Sequence, residues 1–188
     1  MKKGLLIIAL LLLVAQVGYA QIQVFYLPDS GFLRVTGEVV MEPTTTTLSF
    51  LVFPTAQITE FWADDLIDYS MQRGAHGTMV TFALSQARRQ TLSFSYEGFL
   101  EPRSTEATLG PNQVWFPELS FPIQTPTITI QLPPIWEFKA ENILEISEQD
   151  SFQLVKWQAG HNRYPTFQVT NTTIAVGEEV ESLEEIAF

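Results

Sequence analysis

Cysteine is missing altogether from the 188 residues. Its absence excludes disulfides, thiolate zinc sites, iron–sulfur ligation and a cysteine nucleophile. Histidine is nearly missing. The two present, His76 and His161, are too far apart in sequence to form an H-E-x-x-H zinc helix. Each is flanked by glycine or alanine and reads as a surface histidine in a turn rather than half of an acid–base pair. Basic residues are scarce, 10 Lys+Arg against 21 Asp+Glu, for a net charge of −11. That balance argues against nucleic acid as a partner, because a phosphate backbone must be neutralised by clustered Lys and Arg. Neither a G-x-x-x-x-G-K nor a G-x-G-x-x-G loop occurs, and no G-x-S-x-G elbow. No cofactor is implied.

What is present begins with an address. Lys2 and Lys3 precede an apolar run from Gly4 to Ala15, and Gly18-Tyr19-Ala20 closes the segment. A basic start, a short apolar middle and small residues before Gln21 make a secretory signal peptide of residues 1–20. The alternative, an uncleaved anchor, meets a run shorter than the ~20 residues a spanning helix needs. The mature chain is therefore expected to be secreted or periplasmic, without a membrane span. Its cleavage would remove two lysines and no acid, leaving the mature chain still more acidic.

Beyond Gln21 the pattern is that of sheet. Apolar residues recur at every second position, the signature of a half-buried strand. Ile22 to Leu27, Leu33 to Met41, Leu48 to Val52, Met79 to Leu84 and Leu92 to Tyr96 all read this way, as does Thr127 to Leu132. Ile58 with Phe61-Trp62 suggests a short strand. Ile143 to Ile146, Phe152 to Trp157, Thr166 to Val169 and Thr173 to Val176 complete the set. The fold expected is all-β: a β-sandwich or a large curved, saddle-like antiparallel sheet. It would occupy residues 21–177, with an acidic, frayed tail at residues 178–188.

Seven of the 11 prolines fall between Pro102 and Pro134. Proline removes a backbone donor and avoids central strands, so Glu101 to Pro126 reads as an irregular surface excursion. Trp115, Phe116, Phe121 and, beyond it, Trp136 make this the densest aromatic region. They are either an exposed platform for a partner or carbohydrate, or anchors that pin the excursion onto the sheet. As contact residues they imply that Trp115→Ala weakens binding and leaves the fold intact. Other chemistry is weaker. Asp64, Asp65 and Asp68 lack the spacing of a calcium loop and read as solvated charges. Glu97, Glu101, Glu106 and Glu118 offer an unspecific choice of carboxylate pairs for glycoside hydrolysis. Asn171-Thr172-Thr173 matches an N-glycosylation sequon.

The order of motifs resembles the N-terminal β domain of the membrane alanyl aminopeptidase family, the gluzincin zinc exopeptidases. Leu48 to Phe53 with Ile58 after it looks like that family's early strand and its return. Leu92-Ser93-Phe94-Ser95-Tyr96-Glu97-Gly98 looks like its Leu-x-Ile-x-Tyr-x-Gly strand end. Trp115-Phe116-Pro117 resembles the Trp-Tyr-Pro of divergent members, and Thr127 to Ile130 with Pro133-Pro134 fits the pattern too. Phe152 to Val169 resembles the later pair of strands. The family's Phe-Pro-Cys-x-Asp-x-Pro, its Gly-x-Met-Glu-Asn loop and its zinc motif do not occur, so no catalytic residue carries over. The resemblance implies an exported, noncatalytic domain for scaffolding or recognition, its partner a separate peptidase-like or envelope protein. Two alternatives stand beside it: a self-contained carbohydrate- or peptide-binding module, and a hydrolase with a dispersed carboxylate pair.

Overall fold

A computed structural model describes residues 21–110, 114–121, 123, 126–158 and 166–173. The expected signal peptide, the acidic tail, His161 and most of the strand expected over 173–176 lie outside the described residues.

The elements are strands: β1 (Gln21–Leu27), β2 (Phe32–Met41), β3 (Thr47–Val52), β4 (Gln57–Ala63), β5 (Leu66–Gly74), β6 (Gly77–Leu84) and β7 (Gln90–Phe99) in the first half. The second half adds β8 (Glu106–Leu109), β9 (Glu118–Leu119), β10 (Thr127–Leu132), β11 (Trp136–Lys139), β12 (Ile143–Gln149), β13 (Phe152–Gln158) and β14 (Phe167–Asn171). They form a seven-stranded sheet in the order β12-β13-β10-β1-β2-β7-β4, a four-stranded sheet β5-β6-β3-β9 and a three-stranded sheet β11-β14-β8. The large sheet is mixed, not purely antiparallel: β1 runs parallel to β10 and antiparallel to β2.

Alternation decides which face of the large sheet is inside. Ile22, Val24 and Tyr26 on β1 are buried, as are Leu33, Val35, Val39 and Met41 on β2 and Ile128, Ile130 and Leu132 on β10. This face is covered by the two smaller sheets. At one end Phe50 of β3 meets Phe94 of β7, ring centroids 5.9 Å apart, and Phe61 of β4 meets Phe82 of β6 at 5.1 Å. At the other end Phe167 of β14 meets Tyr26 at 6.4 Å and Trp157 of β13 at 6.2 Å. The result is a two-layer sandwich. Gly37 on β2 is part of this packing: a Cβ there would stand 2.3 Å from the Phe94 ring.

Two expectations need correction. Asp68, read with Asp64 and Asp65 as a solvated charge, lies in strand β5 (Leu66–Gly74), which escaped because it is an exposed edge strand without alternation. The excursion over Glu101 to Pro126 also contains β8 and β9 and is partly sheet. Ser120 N–H bonds Ser49 C=O at 2.9 Å, and Ser120 Oγ accepts from Ser49 N–H at 2.9 Å, stitching β9 onto β3.

Candidate binding surfaces

The four aromatic residues singled out as contacts do not form a platform. Trp115 and Trp136 are 1% and 0% exposed, and Phe116 and Phe121 are 7% each. Trp115 stacks on Trp157 at 6.5 Å and meets Phe167 edge-on at 5.0 Å, while Phe121 packs on Phe82 at 6.0 Å. Trp136 directs Nε1 toward Asp29 Oδ2 at 3.4 Å. All four rings are core, which corrects the contact reading. Proline interrupts the ladder here, so the segment holds its place through side chains instead.

The acidic candidates are dispersed. Asp65 takes two bonds from Arg88, at 2.6 and 3.1 Å, and the guanidinium holds its carboxyl below the usual carboxylate range. Asp64 accepts from the Thr91 N–H at 3.3 Å, and Asp68 from the Tyr69 N–H at 2.8 Å. Glu97 pairs with Arg34 and Glu101 with Arg103, each at 2.7 Å. Glu106 accepts from the Gln168 amide, and Glu118 lies on β9 in another sheet. His76 stands exposed in the tight β5–β6 turn. Asn171 is 8% exposed, and its Nδ2 donates to Ser104 C=O at 3.2 Å, so the sequon nitrogen is occupied inside the fold. Among the described residues no group of three or more His, Cys, Asp or Glu is placed to hold a metal ion.

Two surfaces remain. The first is the β5 edge. Its register pairs Tyr69 with Phe82 and Met71 with Val80, both inward-facing core residues. Tyr69 and Met71 therefore continue the inner face of the small sheet beyond the edge of the large one. Tyr69 lies 4.9 Å from the Phe61 ring and is still 41% exposed; Met71 is 53% exposed. Ile67, at the bulge between Leu66 and Asp68, is exposed as well. An edge strand with exposed apolar side chains and unpaired outward backbone groups is an association surface unless covered.

The second is the outer face of the large sheet. Here the polar half of the alternation collects: Gln23 on β1, Thr36 on β2, Thr129 and Gln131 on β10. They line a cavity of about 640 Å3 together with Phe25 and Arg34.

No protein-family model and no curated protein matches the chain. Solved structures do. A crystal structure of an M1 zinc metallopeptidase from Deinococcus radiodurans superposes with a TM-score of 0.58 at 11% identity, covering 81% of this chain and 41% of that one. A mutant of that enzyme bound to a Tyr-Ser-Ala substrate gives 0.57 with the same coverage and identity. A two-domain M1 zinc metallopeptidase mutant bound to L-tryptophan gives 0.55 at 10% identity, with 81% and 42% coverage. The fold resembles the N-terminal domain of M1 aminopeptidases. This chain spans about two fifths of the length of those peptidases.

Proposed function

We propose that the chain is an exported, noncatalytic M1-like domain that works by docking a separate protein, peptidase-like or of the cell envelope, through the β5 edge. The observation that carries this reading is the overhang itself. Tyr69 and Met71 have the inward parity of core residues, yet Tyr69 is covered only in part, by Phe61, and Met71 stays 53% exposed. The fold likeness supports it: the matched architecture is 41% of a peptidase chain. The noncatalytic part rests on sequence, since two isolated histidines cannot build the zinc motif of the resembled family.

A partner seated here would cover a strip of apolar side chains and pair with the free edge of β5. The test is affinity capture of the full chain from its own host, with partners identified by mass spectrometry, in parallel with Met71→Asp. The expected result is a stoichiometric partner held by the wild type and lost by a folded Met71→Asp. Equal capture by both, or peptide hydrolysis by the purified chain alone, overturns the assignment.

A further inference from the structure

The geometry points to a binding trough for a neutral oligosaccharide on the outer face of the seven-stranded sheet, separate from the β5 edge. The first observation is unspent polarity. Gln23, Thr129 and Gln131 face outward on adjacent strands β1 and β10, with Gln23 opposite Thr129 and Phe25 opposite Gln131. Among the described residues none of these three side chains forms a hydrogen bond within the protein, so two amides and a hydroxyl converge on one cavity of about 640 Å3 with their donors and acceptors available. That volume falls within the ~300–1,000 Å3 of ordinary ligand sites.

The second observation is charge. The chain carries 21 acids, yet the charged residue that lines this cavity is Arg34, neutralised by Glu97 at 2.7 Å. A lining of amides, hydroxyls and one compensated ion pair favours a ligand that is polar and uncharged. Apolar surface lies alongside. Phe152, Phe25, Phe32 and Phe99 form a chain of edge-to-face rings across β13, β1, β2 and β7, with centroids 5.4, 6.2 and 5.4 Å apart. A sugar ring offers both kinds of surface, C–H faces for the phenyl groups and hydroxyls for the amides.

The third observation is length. A second concavity of about 310 Å3 shares Gln23 and Thr129 with the first and ends at Lys156; a third, about 240 Å3, shares Gln149 and ends at Phe152. Shared lining residues join them into one trough whose uncharged stretch is the central cavity, with Lys156 at one end and Glu148 and Asp150 at the other. Its outer end is the two-residue β12–β13 hairpin turn, where Asp150 and Ser151 adopt φ of 50° and 66°, the positive values such a turn requires.

A peptide is the competing ligand, and the position argues against it. Peptides gain affinity by adding a strand to a free sheet edge. The trough floor lies on β10, β1 and β2, interior strands bonded to a neighbour on each side. Recognition there is by side chains alone, which suits hydroxyl-rich ligands.

The test titrates the full secreted chain with neutral hexasaccharides of the β-glucan, α-glucan, chitin and mannan classes, with a polyuronate and a set of hexapeptides alongside, read by calorimetry. Variants are Gln23→Ala with Gln131→Ala, and Thr129→Leu, which obstructs the floor; thermal melts verify folding. Met71→Asp serves as a control that leaves sugar binding unchanged, separating this site from the partner edge. The expected result is saturable binding of at least one neutral class, weakened tenfold or more by either trough variant. No binding of any neutral sugar at millimolar concentration overturns the proposal. So does a preference for the polyuronate or the peptides, or binding that both variants leave intact.

Discussion

The hydroxyl of Tyr96 donates a 2.8 Å hydrogen bond to the backbone carbonyl of Trp115, deep in the core. This single contact ties the proline-rich segment to β7, a strand near the far edge of the large sheet. Tyr96 also stacks on Phe94 at 6.0 Å, so its position is fixed by packing before the bond is made. Tyr96→Phe keeps the ring and removes the bond. The expected cost is about 1–2 kcal/mol, measured as a lower urea midpoint with an unchanged slope.

The same burial gives an alkaline limit. Burial pushes the Tyr26 phenol up to about 12, partly opposed by Arg103, and raises that of Tyr96 still more clearly. In the unfolded chain both ionise near the ordinary value of about 10. Above that pH the folded state holds protons that the unfolded state has lost. The stabilisation is therefore complete below about pH 10 and declines as pH rises beyond it. Urea titrations from neutral to alkaline pH are expected to show this fall, with a shallower slope in Tyr26→Phe.

Trp115 is a core residue, so Trp115→Ala attacks the fold itself. The loss expected for a fully buried tryptophan is about 3–5 kcal/mol. Thermal melts should show a large drop. Trp62→Ala, on an exposed ring of β4, is the matching control and should leave the melt near the wild type.

Ser151 offers the opposite sign. With φ at 66° it sits where glycine carries no steric penalty. Ser151→Gly is expected to raise stability by about 1 kcal/mol, read as a higher urea midpoint. If the trough binds sugar, the same change loosens the wall beside Phe152.

Much of the sandwich is visible in the sequence because alternation reports the side of a sheet on which each residue lies. It does so for β1, β2, β3, β7, β10 and β13, where a buried face alternates with a more exposed one. It fails for β5, whose residues are exposed nearly throughout. It also fails for the short strands β8 and β9, because the surrounding prolines signal loop. Period carries no information about neighbours, so the parallel pairing of β1 with β10 is not written in either strand alone. The trough is hidden for the same reason: Gln23 and Gln131 read as ordinary solvent-side residues until the pairing brings them together. Aromatic density around Trp115 marks a packed region, but it does not distinguish a platform from a core.

If a second protein completes this fold at the β5 edge, hydrogen–deuterium exchange of the full chain, alone and with its captured partner, registers the contact strand by strand. Binding is expected to slow exchange across Leu66–Gly74 and to leave the outer-face strands β1 and β10 unchanged. Slowed exchange confined to other strands, with β5 exchanging as in the free chain, would refute docking at this edge.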